Sequence, residues 1–247
     1  MDPGAGGHGT VKLFYEKNPL GFALSWIGVY CAGMSVFDQL SRMLGIESVC
    51  SAIFGTTVSL GLAFWLKRND WLAEYGLCKP DITCKGIWLY IPLIMITSQN
   101  LWGGVTLRYD ALGTICFVIK MLSVGFLEEL IFRGFLFKAM ARDSVKWAAL
   151  ISSLTFGLGH IINLLNGSGM GLWENLVQIF CAVLIGFLYL VLFCRGGSLW
   201  PCVISHGVFN ALSAFSAGDE SLLRSMVLCV LTVSYTVLLL KKLPKRA

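Results

Sequence analysis

Charge is what this 247-residue chain has least of. Charged residues make up 13% of it, about half the ~25% of an ordinary soluble domain. Apolar residues make up 56%, and the mean hydropathy is +0.74. Such a chain cannot clothe a soluble globule in polar surface, so the composition predicts a polytopic membrane protein. A cleavable leader is not expected either. The first 18 residues hold Gly4, Gly6, Gly7 and Gly9 among Lys12, Glu16 and Lys17, with no apolar core region. The first apolar stretch therefore reads as a membrane span. Nine cysteines are present, but none has the usual zinc-ligand spacing. Cys31, Cys50, Cys116, Cys181 and Cys229 lie in apolar runs, where free cysteine behaves as a small hydrophobe. Cys78 and Cys84 share a loop and predict neither a structural disulfide nor a metal site. No internal repeat, low-complexity segment or HExxH pair is found. Histidine is the scarcest resource of all, with three residues in the chain.

What is there is helix-length apolar sequence. A helix needs about 20 apolar residues to cross the hydrocarbon. Eight such stretches are predicted, at 20–38, 49–66, 86–101, 112–138, 147–165, 174–194, 198–216 and 222–240. The third is short and holds Pro92, which predicts a kink. The fold class expected is all-α: a helix bundle of about eight transmembrane helices, forming a single integral membrane domain over 1–247. With the N-terminus placed inside, only Arg42, Arg108 and Arg224 face outward, and only Lys120 and Arg133 lie within a span. The rest of the 19 lysines and arginines face inward. That bias fits the positive-inside rule and predicts cytoplasmic termini, in the plasma membrane. It makes the +5 net charge topological, so no nucleic-acid partner is expected. Trp71, Trp88, Trp102, Trp147, Trp173 and Trp200 fall near predicted span ends, as an interfacial belt would place them.

Three stretches break the apolar pattern. Polar and ionisable groups at membrane depth are costly, and each is a functional-site hypothesis. In VGFLEELIFRGFLFKAM (124–140), Glu129 and Arg133 are four apart and can pair on one helical face. Glu128 points about 100° away from Glu129, by the 3.6-residue period. It is left without a local counter-ion, which suits a proton-transfer group. In SSLTFGLGHIIN (152–163), Phe156 and His160 share a face, with Gly157 and Gly159 small enough for close helix approach. In LWPCVISHGVFN (199–210), His206 and Asn210 are four apart and can donate hydrogen bonds toward one point, as an oxyanion requires. Ion pairs that only lock helices together, a structural core histidine and interhelical hydrogen-bond glue are the competing readings of each stretch taken singly. Asn163 is a further candidate to line the site, and Lys120 has no role assigned beyond snorkelling or pairing.

Glu-Glu-x-x-x-Arg at 128–133, Phe-x-x-x-His at 156–160 and His-x-x-x-Asn at 206–210, in that order, resemble the CPBP family, the CAAX proteases and bacteriocin-processing enzymes also called the Abi family. The resemblance covers about 110–216, the expected catalytic core, and the eight-span layout agrees with the family's usual fold. It implies an intramembrane endopeptidase acting on a membrane-associated protein or peptide substrate in the lipid bilayer. By the resemblance, Glu128 and His160 activate a water, His206 and Asn210 stabilise the oxyanion, Glu129 and Arg133 hold the first pair, and Phe156 lines the site. The family has been described both as glutamate-dependent and as metal-dependent. The expectation is a mechanism without a cofactor. The alternative is Zn²⁺ held by Glu128, His160 and His206. The competing function is a non-catalytic membrane scaffold or proton-coupled carrier using the same buried residues. The loop Lys138–Lys146 predicts access from the cytoplasmic leaflet.

Overall fold

The computed structural model describes residues 5–80, 87–166, 171–218 and 222–242. Cys84 lies outside them, as does residue 86, where the third span was expected to begin. The eight cysteines that are described are free.

Helix α1 (Ala5–Lys17) leads into α2 (Pro19–Leu44). Asn18 starts α2 by accepting a hydrogen bond from the Gly21 amide at 2.8 Å, and Pro19 supplies a preset first turn. Gly45, at φ 68°, ends it in the left-handed conformation that glycine adopts without cost. α3 (Val49–Arg68) follows. Next come a 3₁₀ turn (Ile87–Tyr90), the short α4 (Ile91–Thr97) begun by Pro92, and a second 3₁₀ turn (Gln99–Leu101). α5 (Ala111–Glu129) is capped by Asp110, whose carboxylate accepts from the Gly113 amide at 2.7 Å. It runs into a π-helical segment (Leu130–Leu136) and then α6 (Phe137–Ala141). α7 (Val145–Gly159) and the single turn α8 (Ile162–Leu165) precede the long α9 (Leu172–Gly196). α10 (Trp200–Ala211) and α11 (Leu222–Lys242) complete the chain. Among the described residues there is no strand, only an isolated bridge between Val105 and Ser216.

Five helices are long and apolar enough to cross a membrane: Pro19–Leu44, Val49–Arg68, Val145–Leu164, Leu172–Gly196 and Leu222–Lys242. The other three expected spans are helical but compromised. The third is broken into short pieces around Pro92. The fourth carries Lys120, Glu128 and Glu129 within α5. The seventh has 12 residues of α-helix before a 3₁₀ turn. These last two bear Glu128, Glu129, His206 and Asn210, while Phe156 and His160 lie on one of the five long apolar helices. The bundle turns Leu24, Ile53, Leu60, Phe64, Val230 and other large apolar side chains outward, as a helix bathed in lipid does. The protein is an integral membrane helix bundle.

Glycine sets two of the tightest crossings. A Cβ at Gly125 of α5 would sit 2.5 Å from the backbone nitrogen of Gly207 in α10. A Cβ at Gly157 of α7 would meet the Val183 side chain at 2.3 Å and the Ile179 carbonyl at 2.9 Å in α9. Backbones that approach this closely recover dispersion energy that lipid would otherwise match. Of the two glycines expected to permit close approach, Gly157 does so. Gly159 has no heavy atom within 4 Å of where its Cβ would lie.

Candidate active site

The three motifs meet inside the bundle. Glu129 ends α5 and is fully buried, and Arg133 lies in the following π-helical segment. Its Nη1 stands 3.1 Å from Glu129 Oε1. The sequence spacing anticipated this pair on an ordinary helix. The chain instead widens to π-helix over 130–136, a departure frequent at functional sites.

Arg133 takes its second support from a ring. Its guanidinium lies 4.1 Å from the Phe156 ring centroid, a cation–π contact that gains strength where water is excluded. Phe156 also meets His160 and His206 edge to face, at centroid distances of 5.4 and 5.7 Å. One aromatic side chain thus spaces the arginine and both histidines. Gly186 of α9 makes room for this group: a Cβ there would lie 3.0 Å from Phe156 Cδ1 and 3.1 Å from Arg133 Nη2.

His206 joins the two glutamates. Its Nδ1 is 2.8 Å from Glu129 Oε1, and its Nε2 is 3.5 Å from Glu128 Oε2. A carboxylate can only accept, so Nδ1–H donates to Glu129 and fixes the ring orientation. His206, expected to donate toward one point with Asn210, also meets the acidic pair. Glu128, expected to lack a local counter-ion, has a neutral donor from a distant helix. The Tyr30 hydroxyl of α2 donates to Glu128 Oε1 at 2.5 Å.

His160 caps the end of α7 and is half-buried. Its Nδ1 lies 3.2 Å from the Phe156 carbonyl oxygen. That oxygen is an acceptor, so Nδ1 carries a proton, and in the tautomer with one proton the lone pair is on Nε2. Asn175 of α9 holds the turn by donating to the His160 carbonyl at 2.9 Å. Asn210 sits in the last turn of α10, and its side chain has no protein hydrogen-bond partner among the described residues.

A cavity of about 350 Å³ lies between α2, α5, α7, α9 and α10. Its walls include Tyr30, Glu128, Phe156, His160, Asn163 and Asn210. Glu129, Arg133 and His206 stand behind this wall. Asp38 and Lys120, paired at 2.7 Å, also face the cavity, so Lys120 pairs rather than snorkels. Asn163 donates to Gln178 at 2.9 Å on the same wall. Among the described residues no three His, Cys, Asp or Glu side chains gather as a metal-ligand group. Of the alternative Zn²⁺ set, Glu128 and His206 lie 3.5 Å apart, and His160 lines the same cavity as Glu128.

Sequence spacing did not point to Tyr30, Asp38, Asn175 or Gly186. Each acts across helices, up to 98 residues away in the Tyr30–Glu128 bond. The one available signal was a tyrosine and an aspartate inside an apolar stretch.

Comparison with curated proteins and with solved structures gives no significant match. Residues 110–212 match the family described as type II CAAX prenyl endopeptidase Rce1-like. The matched stretch is under half of the chain and holds all three motifs. Over it, this integral membrane protein is similar to the CAAX proteases.

Proposed function

We propose that this protein is an intramembrane endopeptidase of the glutamate type. It hydrolyses a peptide bond in a membrane-associated protein or peptide. The family match supports a CAAX-type peptidase in general, and within that class it favours a prenylated protein over a bacteriocin or pheromone precursor. The observation that carries the mechanism is that Glu128 and His160 reach one cavity from two different helices.

In the proposed reaction a water binds between Glu128 and the Nε2 lone pair of His160. Glu128 takes a proton from the water, and the oxygen attacks the scissile carbonyl carbon. The oxyanion that forms accepts hydrogen bonds from the unpartnered Asn210 amide and from His206 when its Nε2 carries a proton. Glu129 stabilises that cationic form of His206 from the Nδ1 side, and Arg133 balances Glu129. Glu128 then delivers its proton to the departing amine as the C–N bond breaks. No step requires a metal ion.

The Lys/Arg bias supports cytoplasmic termini, and a substrate reaching the cavity from the cytoplasmic leaflet of the plasma membrane. The bilayer and the substrate are the partners this reading needs; nucleic acid is not. The catalytic core is assigned to 110–216 within one membrane domain.

The test is cleavage of a prenylated CAAX-type peptide by purified protein, with and without a chelator. Glu128→Ala and His160→Ala are expected to abolish cleavage while folding persists, and the chelator is expected to leave the rate unchanged. Full activity in Glu128→Ala would overturn the assignment. Loss of activity on chelation, restored by Zn²⁺, would overturn the metal-free step. The Asp38–Lys120 pair in the same cavity keeps a second reading, a proton-coupled carrier, in view. Proton flux into proteoliposomes without any peptidase activity would favour it.

A further inference from the structure

The family match begins at residue 110, yet one wall of the cavity is α2, far upstream. α2 meets the rest of the site through three polar contacts spaced along its length. Tyr30 donates to Glu128 Oε1 at 2.5 Å. Ser35 accepts from Asn166 at 2.8 Å. Asp38 pairs with Lys120 at 2.7 Å. Tyr30, Ser35 and Asp38 all line the cavity that Glu128 and His160 share. In lipid, where apolar packing gives little preference for one helix neighbour over another, such contacts fix a helix against its partners.

We propose that α2 is part of the active site and that Tyr30 is the residue that positions Glu128. This rests on the reading of Glu128 as the catalytic base. A carboxylate has two oxygens and can turn about its last torsion. The Tyr30 hydroxyl occupies Oε1. The remaining oxygen, Oε2, is then the one on the His206 side, 3.5 Å from Nε2. Tyr30 thereby selects which oxygen meets the water and holds it there. Hydrogen bonds to a charged group are among the stronger ones, and loss of alignment at a reacting group costs rate rather than affinity. The 3.6-residue period and the motif spacing carry no trace of this contact, because it joins residues 98 positions apart.

The experiment compares purified full-length wild type, Tyr30→Phe, Tyr30→His and Glu128→Gln on a prenylated CAAX-type peptide. Phenylalanine keeps the ring and removes the donor. Tyr30→Phe is expected to lower kcat by about 10- to 100-fold, the range set by one hydrogen bond to a charged group, with KM within about threefold of wild type. Tyr30→His restores a donor and is expected to recover part of kcat. A role confined to packing predicts instead an unchanged kcat in well-folded Tyr30→Phe. An unchanged kcat overturns the inference, as does a rise in KM alone. If Tyr30→Phe does not fold, recovery of kcat by Tyr30→His decides the matter, and an inactive but folded Tyr30→His counts against the inference. Wild type that is active and silenced by Glu128→Gln, beside a fully active Tyr30→Phe, sinks this inference and leaves the peptidase reading standing. Wild type without activity on any peptide sinks that reading first.

Discussion

Gly125 of α5 and Gly207 of α10 touch backbone to backbone. A Cβ built on Gly125 would come within 2.5 Å of the Gly207 nitrogen and 2.6 Å of its Cα. This contact sets the distance between the helix that carries Glu128 and Glu129 and the helix that carries His206. The 2.8 Å bond from His206 to Glu129 joins the same two helices.

Gly125→Leu is therefore expected to push the two helices apart. Overpacking of this kind costs about 1–3 kcal/mol, and a shift on the order of 1 Å at a reacting group can cost about 100-fold in rate. Thermal unfolding and peptide cleavage should both fall. Gly61→Ala is the control, since nothing lies within 4 Å of the Cβ it would add, and its melting temperature should hold or rise. Equal behaviour of the two variants would remove the contact from the account.

Glu129 and Arg133 form a fully buried pair, with side chains 0% and 1% exposed. Removing one member of such a pair leaves an uncompensated charge and costs about 3–5 kcal/mol. Arg133→Met should thus lower the melting temperature far more than Glu128→Gln, because Glu128 borders the cavity. A melting temperature for Arg133→Met equal to that of wild type would show that the pair is not structural.

Asp38 and Lys120 are predicted to act as a unit. Each of Asp38→Asn and Lys120→Met should destabilise the protein, and the double variant should cost less than the sum. A coupling energy of about 1–3 kcal/mol in a double-mutant cycle of unfolding is expected. Strict additivity would mean that the 2.7 Å contact contributes nothing.

Much of this architecture was legible from residue types alone. Apolar runs announced the long helices, and i,i+4 spacing announced Glu129–Arg133, because both depend on contacts local in sequence. The positions of Glu128, Phe156, His160 and Asn210 on one cavity follow from three helices converging, which spacing allows but does not dictate. Three features were out of reach for stated reasons. The π-helical segment over 130–136 leaves no mark in the residue spacing. Tyr30 and Asp38 bind residues more than 80 positions away. The turn of His206 toward both glutamates depends on the Gly125–Gly207 crossing, and a glycine in a helix announces no particular neighbour.

The central claim is that Glu128 moves the proton in peptide hydrolysis. Its most direct test is the single-turnover rate of Glu128→Gln on a prenylated CAAX-type peptide, read beside its melting temperature. Glutamine keeps the size of glutamate and can still accept from Tyr30, but it cannot take a proton from water. Removing a general base of this kind costs about 100- to 10,000-fold. The account predicts a loss in that range with the melting temperature near that of wild type. A folded Glu128→Gln protein that cleaves at the wild-type rate would contradict it.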